Sequence, residues 1–257
     1  MISRLRWIHP KASLGKGVAI GPFTIISPSV EIGNNVKIGP YVFIDENVTI
    51  DEGCEIGPGV IIGKRPFDLN YQGEPTQVRI GKHNIIGEYT TIHRATGENN
   101  ATVIGDDNLI MAYVHIGHNC QIGNNVVITN GSQLGGYVKI GDFANIGGMV
   151  GIHQWTRVGE YAMVGAYSYL VKDLPPFLIG QGVFFRVRGL NLVGLRRAGF
   201  SQERIGLLTK AYRLIYRSNL NLSDALTKIK QELPMTDDLK ILLDFIQKSK
   251  RGVCLKQ

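Results

Sequence analysis

The sequence has few of the features that mark secreted or membrane-bound proteins. It contains only three cysteines, Cys54, Cys120 and Cys254, and no two of them form a CxxC pair. Neither a disulfide framework nor a zinc knuckle is therefore expected. No run of 18 apolar residues occurs, and the start MISRLRWIHPKASLG lacks the apolar segment of a signal peptide. We expect a cytoplasmic protein in a reducing compartment, without stable membrane insertion.

Acidic residues are almost missing from one part of the chain, between Arg186 and Arg217. This basic segment holds eight basic residues and one acidic residue, Glu203, and its charge of +7 equals the formal net charge of the whole chain. Such a field attracts phosphate groups or an acidic protein, although a solvated helix face is the alternative. Because the segment has no aromatic-interleaved motif, no nucleic-acid binding is expected.

Proline is scarce as well, with 10 residues, whereas glycine accounts for 32 of the 257 residues. This ratio argues against disorder and indicates a backbone that turns at fixed places. Stepping by six from Leu14 to Val164, 23 of 26 positions carry Ile, Leu or Val, and 16 of these are followed by glycine. The three exceptions, Asp68, Glu74 and Glu98, fall in two interruptions of the repeat.

A period of six residues fits neither an amphipathic helix nor an alternating strand. It predicts a parallel β-solenoid, in which each hexad forms a short strand and its aliphatic first residue points inward. The glycine in second position is predicted to help the chain turn to the next face. The repeat resembles that of the hexapeptide-repeat acyltransferases, which implies a left-handed parallel β-helix with three hexads, about 18 residues, in each triangular coil.

After about residue 185 the apolar pattern changes to the period of helices. The predicted helices begin at the cap residues Ser201, Ser223 and Thr236 and lie in the segments FSQERIGLLTKAYRLIYRS, LSDALTKIKQELP and TDDLKILLDFIQKSKRG. The expected fold is thus mainly β. A left-handed parallel β-helix domain at residues 1–185 precedes a C-terminal α-helical domain at residues 186–257.

His118 stands out within the repeat because of the residues that stack on it. With three hexads in a coil, His118, Gly136 and Gln154 form one column on the solenoid wall, and the third hexad position of His118 points its side chain outward. Histidine, with an ordinary pKa of about 6.5, can take the proton of an attacking hydroxyl. A glycine N–H can approach an oxyanion closely. The column therefore has the groups that an acyl transfer requires.

Six strings make the resemblance to a known family more specific. They occur in the order DLNYQGEPT, TIHRAT, HIGHNC, IHQW, KDLPPFLIGQG and GLRRAGFS. Together they resemble the UDP-N-acetylglucosamine acyltransferases of lipid A biosynthesis over nearly the whole chain. That resemblance implies transfer of a (hydroxy)fatty acyl chain from acyl carrier protein to the glucosamine 3-position of a UDP-sugar substrate. It also implies a homotrimer with active sites between subunits, no cofactor and no metal.

The same resemblance assigns roles to the matching positions. His118 is the general base, Gly136 is the oxyanion donor, Asp68 holds the sugar, and Ala166 forms the floor that limits acyl length. The other matches line the site or contact the nucleotide, and they are His115, Gln154, His153, Asn191 and Arg197. The basic segment fits both a diphosphate and the acidic carrier protein.

Four positions depart from the frequent pattern of the family. Asn119 is also predicted to be a site residue. It stands where many members have an aspartate, so an amide replaces a carboxylate beside His118. Asn70 replaces a frequent lysine, Tyr137 a frequent histidine and Ala198 an arginine. We expect these changes to affect acceptor identity and nucleotide affinity more than the reaction class. A 3-amino UDP-sugar therefore stays open as the acceptor.

Three other interpretations are open from the sequence. Another hexapeptide acyltransferase would use a CoA thioester on a different sugar or amine. A trimeric solenoid metalloenzyme resembling γ-class carbonic anhydrase would use His93, His115 and His118 as ligands. A solenoid scaffold would only bind acyl carrier protein. A donor panel, metal analysis and the His118→Ala variant would distinguish these possibilities.

Overall fold

The computed structural model describes residues 5–255, and the parts of the two predicted domains at residues 1–4 and 256–257 lie outside this range. Most of the described chain runs as short strands joined by tight corners. In chain order the strands are β1 (Trp7–Ile8), β2 (Ser13–Leu14), β3 (Ala19–Ile20), β4 (Ile25–Ile26), β5 (Glu31–Ile32), β6 (Lys37–Ile38), β7 (Phe43–Ile44), β8 (Val48–Ile50), β9 (Glu55–Ile56), β10 (Ile61–Lys64), β11 (Gln77–Ile80), β12 (Ile85–Ile86), β13 (Thr91–His93), β14 (Ala101–Ile104), β15 (Leu109–Ile110), β16 (His115–Ile116), β17 (Gln121–Ile122), β18 (Val127–Ile128), β19 (Gln133–Leu134), β20 (Lys139–Ile140), β21 (Asn145–Ile146), β22 (Gly151–Ile152), β23 (Arg157–Val158), β24 (Met163–Val164), β25 (Tyr169–Leu170), β26 (Leu178–Gln181) and β27 (Arg186–Leu190).

The strands form three sheets, which are the three faces of a triangular solenoid. Every third strand joins the same sheet, so that β1 to β25 form a nine-stranded face and β2 to β23 an eight-stranded face. The ten-stranded face runs from β3 to β26 and ends with β27, which is the one antiparallel strand among the described residues. The predicted fold class is confirmed: a left-handed parallel β-helix followed by a helical region.

The strand register explains both interruptions of the repeat. Where the repeat is unbroken, each strand pairs with the strand three hexads further along the chain. Thr91, however, pairs with Ile61, and the chain between them is two hexads longer than one coil. Thr91 also pairs with His115, and the chain between these two is one hexad longer than one coil. The additional chain leaves the coil as loop 1 (residues 65–76) and loop 2 (residues 94–100). The three exceptions to the aliphatic pattern lie in these two loops.

The aliphatic first residues of the hexads form the core, as predicted, and Ile116 is fully buried. The prediction for the second-position glycines is wrong, because most of them do not make the turn. Gly33 lacks a positive φ, but a Cβ on it would lie 2.6 Å from the Glu52 nitrogen in the next coil. The turn is made at the fourth position, where Asn35 and Tyr41 have φ of 57° and 58°. Close backbone approach, rather than backbone freedom, therefore selects glycine in second position.

Four helices follow the solenoid, namely α1 (Leu192–Arg197), α2 (Gln202–Tyr216), α3 (Leu222–Glu232) and α4 (Asp237–Gln247). Ser201 and Thr236 cap α2 and α4, as predicted. The predicted cap Ser223 is wrong, because Asn221 accepts a hydrogen bond from the Asp224 N–H at 2.9 Å and starts α3 two residues earlier.

The chain passes gradually from solenoid to helices. β27 still pairs with β26, α1 begins at Leu192, and the division at residue 185 stays a prediction. The end of the chain returns to the solenoid, where the Cys254 N–H donates to the Asp173 carbonyl at 2.8 Å. Within residues 5–255, no helix has the length and apolar character that crossing a membrane requires.

Candidate functional site

A cleft of about 450 Å³ lies on the nine-stranded face, beside the corner that leads from β16 to the eight-stranded face. The structure brings five of the predicted site residues to the walls of this cleft, namely His115, His118, Gly136, His153 and Gln154. Asp68 and Asn119 reach the same place through contacts with the His118 ring. Seven of the ten predicted residues thus lie around one imidazole.

Gly136 packs directly against the ring of His118. A Cβ on Gly136 would lie 2.4 Å from His118 Nε2, so only glycine leaves room for the imidazole. The Gly136 N–H donates to no acceptor within residues 5–255, although the residue is buried. Buried N–H groups usually have a partner, so this one is a free donor beside the ring nitrogen that faces the cleft.

Asn119 fixes which nitrogen of His118 carries the hydrogen. The Thr96 N–H donates to Asn119 Oδ1 at 2.8 Å, and Asn119 Nδ2 donates to the Thr96 carbonyl at 3.0 Å. Since a backbone N–H only donates and a carbonyl only accepts, the amide orientation is unambiguous. His118 Nδ1 lies 2.9 Å from the same Oδ1 and must therefore donate to it. In the neutral imidazole Nε2 consequently keeps its lone pair, which a general base requires.

Thr96 connects two of the four departures from the family pattern. It lies buried in loop 2, and its Oγ1 donates to Asn119 Oδ1 at 3.1 Å. The same hydroxyl lies 2.9 Å from the phenol oxygen of Tyr137, whose ring meets the His118 ring edge-on at 5.2 Å. Because Asn119 and Tyr137 both bond to Thr96, they form one hydrogen-bonded unit behind the imidazole.

Asp68 in loop 1 is the carboxylate that faces His118 across the cleft. Its Oδ2 lies 3.9 Å from His118 Nε2. Its other oxygen accepts hydrogen bonds from the backbone and side-chain nitrogens of Asn70, at 2.9 and 3.2 Å. Loop 1 is tied to loop 2 because Glu74 Oε1 accepts from the Gly97 N–H at 2.7 Å. The two loops together hold the Asp68 carboxylate near Nε2 of His118.

Two further histidines adjoin His118. The rings of His93 and His115 meet edge-on at 5.1 Å, and His115 Nδ1 lies 2.8 Å from Thr91 Oγ1. Burial, and then the neighbouring His115 and His118, lower the pKa of His93 to about 4. Burial, followed by His118, also lowers the pKa of His115. Both lowered values favour neutral rings at pH 7. Over residues 5–255, no three His, Cys, Asp or Glu side chains are arranged to hold a metal ion.

Nine residues of the cleft were not predicted as acyltransferase site residues, although His93 was considered as a metal ligand, and they are Phe67, His93, Gly117, Gln133, Leu134, Gly135, Gly151, Ile152 and Tyr169. Three of these, Gln133, Gly151 and Tyr169, follow His115 at successive intervals of one coil, because β19, β22 and β25 pair in register below β16. The spacing that placed Gly136 under His118 could therefore have found them. Phe67 lies in loop 1 and His93 directly precedes loop 2, where that spacing fails, and their rings lie 4.7 Å apart.

Three predicted site residues lie outside the cleft of a single chain. Asn191 caps α1, where its Oδ1 accepts from the Gly194 N–H at 3.1 Å and its Nδ2 donates to the Tyr161 carbonyl. Arg197 is exposed at the end of α1. Ala166 is exposed at the corner between β24 and β25, on the opposite edge of the nine-stranded face. None of the three contacts His118 within the described chain.

The comparison with family models gives matches over both parts of the chain. Residues 173–254 match the model described as UDP N-acetylglucosamine O-acyltransferase, domain 2. The segments 11–45, 29–64 and 101–136 match the bacterial transferase hexapeptide model of six repeats. The family models thus find the repeat in the solenoid and the O-acyltransferase domain in the helical region.

Relatives and solved structures match over nearly full length. The acyl-[acyl-carrier-protein]–UDP-N-acetylglucosamine O-acyltransferase of Thermodesulfovibrio yellowstonii is 48% identical over 248 residues, which cover 96% of each chain. The protein of the same name from a Sulfurihydrogenibium species is 52% identical and covers 96% of this chain and 93% of its own. The UDP-N-acetylglucosamine acyltransferase structure from Bacteroides fragilis has a TM-score of 0.96 at 41% identity, covering 98% of this chain and 99% of its own.

Proposed function

The chain belongs to the family of acyl-[acyl-carrier-protein]–UDP-N-acetylglucosamine O-acyltransferases, and from this premise we propose its reaction. The enzyme transfers a (hydroxy)fatty acyl chain from acyl carrier protein to the 3-position of UDP-N-acetylglucosamine, the first step of lipid A biosynthesis. The observation that carries this proposal is the free N–H of Gly136 beside Nε2 of His118, whose other ring nitrogen is held by Asn119. The three cysteines are free and buried, which supports a cytoplasmic location.

The proposed mechanism uses His118 as the base and Gly136 as the oxyanion donor. The 3-hydroxyl of the sugar lies between His118 Nε2 and Asp68, gives its proton to Nε2 and attacks the thioester carbonyl. The carbonyl oxygen becomes an oxyanion that accepts a hydrogen bond from the Gly136 N–H. When the carbonyl forms again, the C–S bond breaks and the ester is released. The thiolate leaves without an acid, since thiols titrate near roughly 8.5, and it takes the proton from His118.

The site compensates for the amide at position 119 in two ways. Asn119, held by Thr96, fixes the orientation and the tautomer of His118. The charge that stabilises the imidazolium comes from Asp68, 3.9 Å from Nε2. We therefore propose that Asp68, oriented by Asn70, both holds the sugar and balances the charge that an aspartate at position 119 would balance in other members.

The outward residues of the three faces support a homotrimer. Apolar residues occupy the outward column of β1 to β10 on the nine-stranded face, namely Trp7, Ile25, Phe43 and Ile61. The outward column of the ten-stranded face is apolar at Ile85, Leu109, Val127, Met163 and Ile179 and polar at Lys37, Glu55 and Asn145. The eight-stranded face presents mostly polar residues, such as Glu31, Thr49, Arg79, Lys139 and Arg157. A cyclic trimer would cover the two apolar faces by heterologous contacts and leave the third in solvent.

In such a trimer the cleft is completed by a neighbouring copy. The cleft already contains His115, His153 and Gln154. We propose that the neighbouring copy adds Asn191 and Arg197 for the nucleotide and Ala166 for the floor of the acyl channel. This arrangement accounts for the position of these three residues outside the cleft of one chain.

A transfer assay tests the proposal directly. The purified protein is incubated with hydroxyacyl carrier proteins of several chain lengths and with UDP-N-acetylglucosamine or its 3-amino analogue, and the products are identified by mass spectrometry. We expect an acylated UDP-sugar, and we expect His118→Ala to lose about 10²–10⁴ in rate. Turnover only with acyl-CoA, or a His118→Ala variant with full activity, would contradict the donor or the base. A product with the 3-amino analogue alone would make the enzyme an N-acyltransferase.

A further inference from the structure

A second groove, of about 480 Å³, opens on the eight-stranded face, directly behind the corner that carries His118. One wall consists of the rings of Tyr137 and Trp155, which stack with their centroids 3.7 Å apart. The edge of the Tyr137 ring meets the His118 ring at 5.2 Å. A single aromatic side chain therefore separates this groove from the proposed base.

The groove is strongly basic. Its cationic walls include Lys139 on β20 and Lys248, Lys250 and Arg251 after α4. The Asp244 carboxylate pairs with Lys248, but within residues 5–255 Lys139, Lys250 and Arg251 have no carboxylate partner. These three cations therefore give the groove a positive field in which an anion is favoured.

The acidic residue of the groove does not offset this field, because it is already neutralised. Asp173 is only 1% exposed. Its oxygens accept from the Arg157 backbone N–H and Nε at 2.8 and 2.9 Å, and from Ser249 Oγ at 2.8 Å. Asp173 thus builds the floor of the groove and does not repel an anionic partner.

The backbone that carries the cations is held in place before any partner arrives. The segment after α4 is fixed to the solenoid because the Asp173 N–H donates to the Gly252 carbonyl at 3.0 Å. Arg251 Nε donates to the Val171 carbonyl at 3.0 Å. Lys139 stands on a strand of the solenoid itself. Such a preorganised surface loses little conformational entropy on binding.

We propose that this groove is the docking surface for the acidic carrier protein that delivers the acyl thioester, an inference that rests on the proposed function. The thioester ends a phosphorylated arm, so the carrier must dock within the length of that arm from His118. The groove begins one ring away from His118 and offers uncompensated cations to acidic residues and to the arm's phosphate. Tyr137 and Trp155 form an apolar wall along which the arm turns the corner into the cleft.

The basic segment at residues 186–217 is the other candidate for this partner. One of its arginines, Arg204, is held by a bidentate ion pair with Asp238 at 2.8 Å and lies over the Phe200 ring. Arg197, in the same segment, is already proposed to contact the nucleotide. The groove, in contrast, lies on the polar face that a trimer would leave in solvent. The basic segment is thus assigned to the nucleotide, and the groove is assigned to the carrier protein.

Two matched pairs of charge reversals distinguish the two surfaces. The groove pair is Lys139→Glu with Lys250→Glu, and the control pair is Arg186→Glu with Lys210→Glu, which changes the net charge equally. For each form we would measure kcat, the KM of both substrates, the salt dependence of the donor KM, and binding of labelled carrier protein by fluorescence anisotropy. The groove pair should raise the donor KM and the carrier Kd about tenfold or more and flatten the salt dependence, with kcat at saturating donor within about twofold. The control pair should leave the donor KM unchanged.

Further variants keep the test decisive. If the groove pair does not fold as the wild type by circular dichroism, the single variants Lys139→Gln and Lys250→Gln should each raise the donor KM about threefold. Trp155→Ala should raise the donor KM while preserving its salt dependence, because it removes no charge. An unchanged donor KM and Kd in the groove pair, or an increase only in the control pair, would overturn the proposal. Carrier binding that depends on the groove but gives no product would leave the docking surface intact and refute the proposed function.

Discussion

At the scale of single residues, the tautomer of His118 is selected by an amide whose own orientation is fixed. The length of one coil predicted that His118 and Gly136 would stack, and they do. The sequence did not indicate Thr96, because it lies far from Asn119 along the chain and in a loop outside the repeat. The partners of Asn119 decide the tautomer, and they depend on how loop 2 folds back on the corner.

This geometry predicts opposite effects for two substitutions of Asn119. Asn119→Leu removes the acceptor for the Nδ1 hydrogen, so the hydrogen moves to Nε2 in most molecules and kcat should fall about 10–100-fold. Asn119→Asp keeps an acceptor and adds a negative charge, which stabilises the imidazolium. It should stay active and shift the acid limb of the kcat/KM profile to higher pH. A purely structural role for Asn119 would leave this limb in place in both variants.

The buried His93 makes stability depend on pH. Its pKa is about 4 in the folded protein, below the ordinary histidine value of 6.5, so the unfolded chain binds a proton more readily between these values. The stabilisation that depends on a neutral His93 is therefore fully present above pH 6.5 and is lost as pH drops towards 4, by about 2 kcal/mol between pH 7 and pH 5. In His93→Gln this loss should be smaller by that amount in urea unfolding at the two pH values. An equal pH dependence in both proteins would contradict the assignment.

At the scale of elements, the hexad predicted the strands and the core, but it assigned the turn to the wrong hexad position and could not predict the loops. On the two sides of Thr91, the chain between paired strands is longer than one coil by two hexads and by one hexad. Residues that stack in this region are therefore not one regular coil length apart in the sequence. Phe67, Asp68, His93 and Thr96 all lie in or beside those breaks. Asp68 was found only through the family resemblance, and Thr96 was not found at all. The regular part of the site thus follows from the repeat, and the irregular part does not.

The role of second-position glycines can be tested by adding one methyl group. Gly33→Ala would place a Cβ 2.6 Å from the backbone nitrogen of Glu52, so two coils must move apart. We expect a loss of about 1–3 kcal/mol in the free energy of unfolding. The control is Gly206→Ala in α2, where no atom lies within 4 Å of the new Cβ. It should stabilise the protein by about 0.5–1 kcal/mol. Equal unfolding midpoints for Gly33→Ala and the wild type would refute the close-approach argument.

At the scale of the whole molecule, the three faces differ in what they present to their surroundings. The repeat fixes the inward residues of all faces alike, so the difference lies in the outward residues alone. Two faces have apolar stretches in their outward columns, whereas the eight-stranded face is mostly polar and carries the basic groove. The outward residues of each face thus distinguish the surfaces proposed for self-association from the surface proposed for the carrier protein.

Two matched substitutions on different faces test this division. Ile85 is 48% exposed on the ten-stranded face of one chain, and Ile85→Glu would bury a carboxylate at each contact of the proposed trimer. We expect this unpaired charge to weaken association by roughly 3 kcal/mol or more per contact, so sedimentation should detect monomers. Transfer activity should fall with the trimer, because the neighbouring copy no longer supplies Asn191, Arg197 and Ala166.

The matched control is Val103→Glu, which changes the same kind of outward aliphatic residue on the eight-stranded face. It should leave both the mass and the activity unchanged, because that face stays in solvent in the proposed trimer. An Ile85→Glu protein that keeps the wild-type mass would show that the ten-stranded face is not part of the contact. Monomers that retain full activity would show instead that one chain holds the whole site, and the three residues outside the cleft would then need another role.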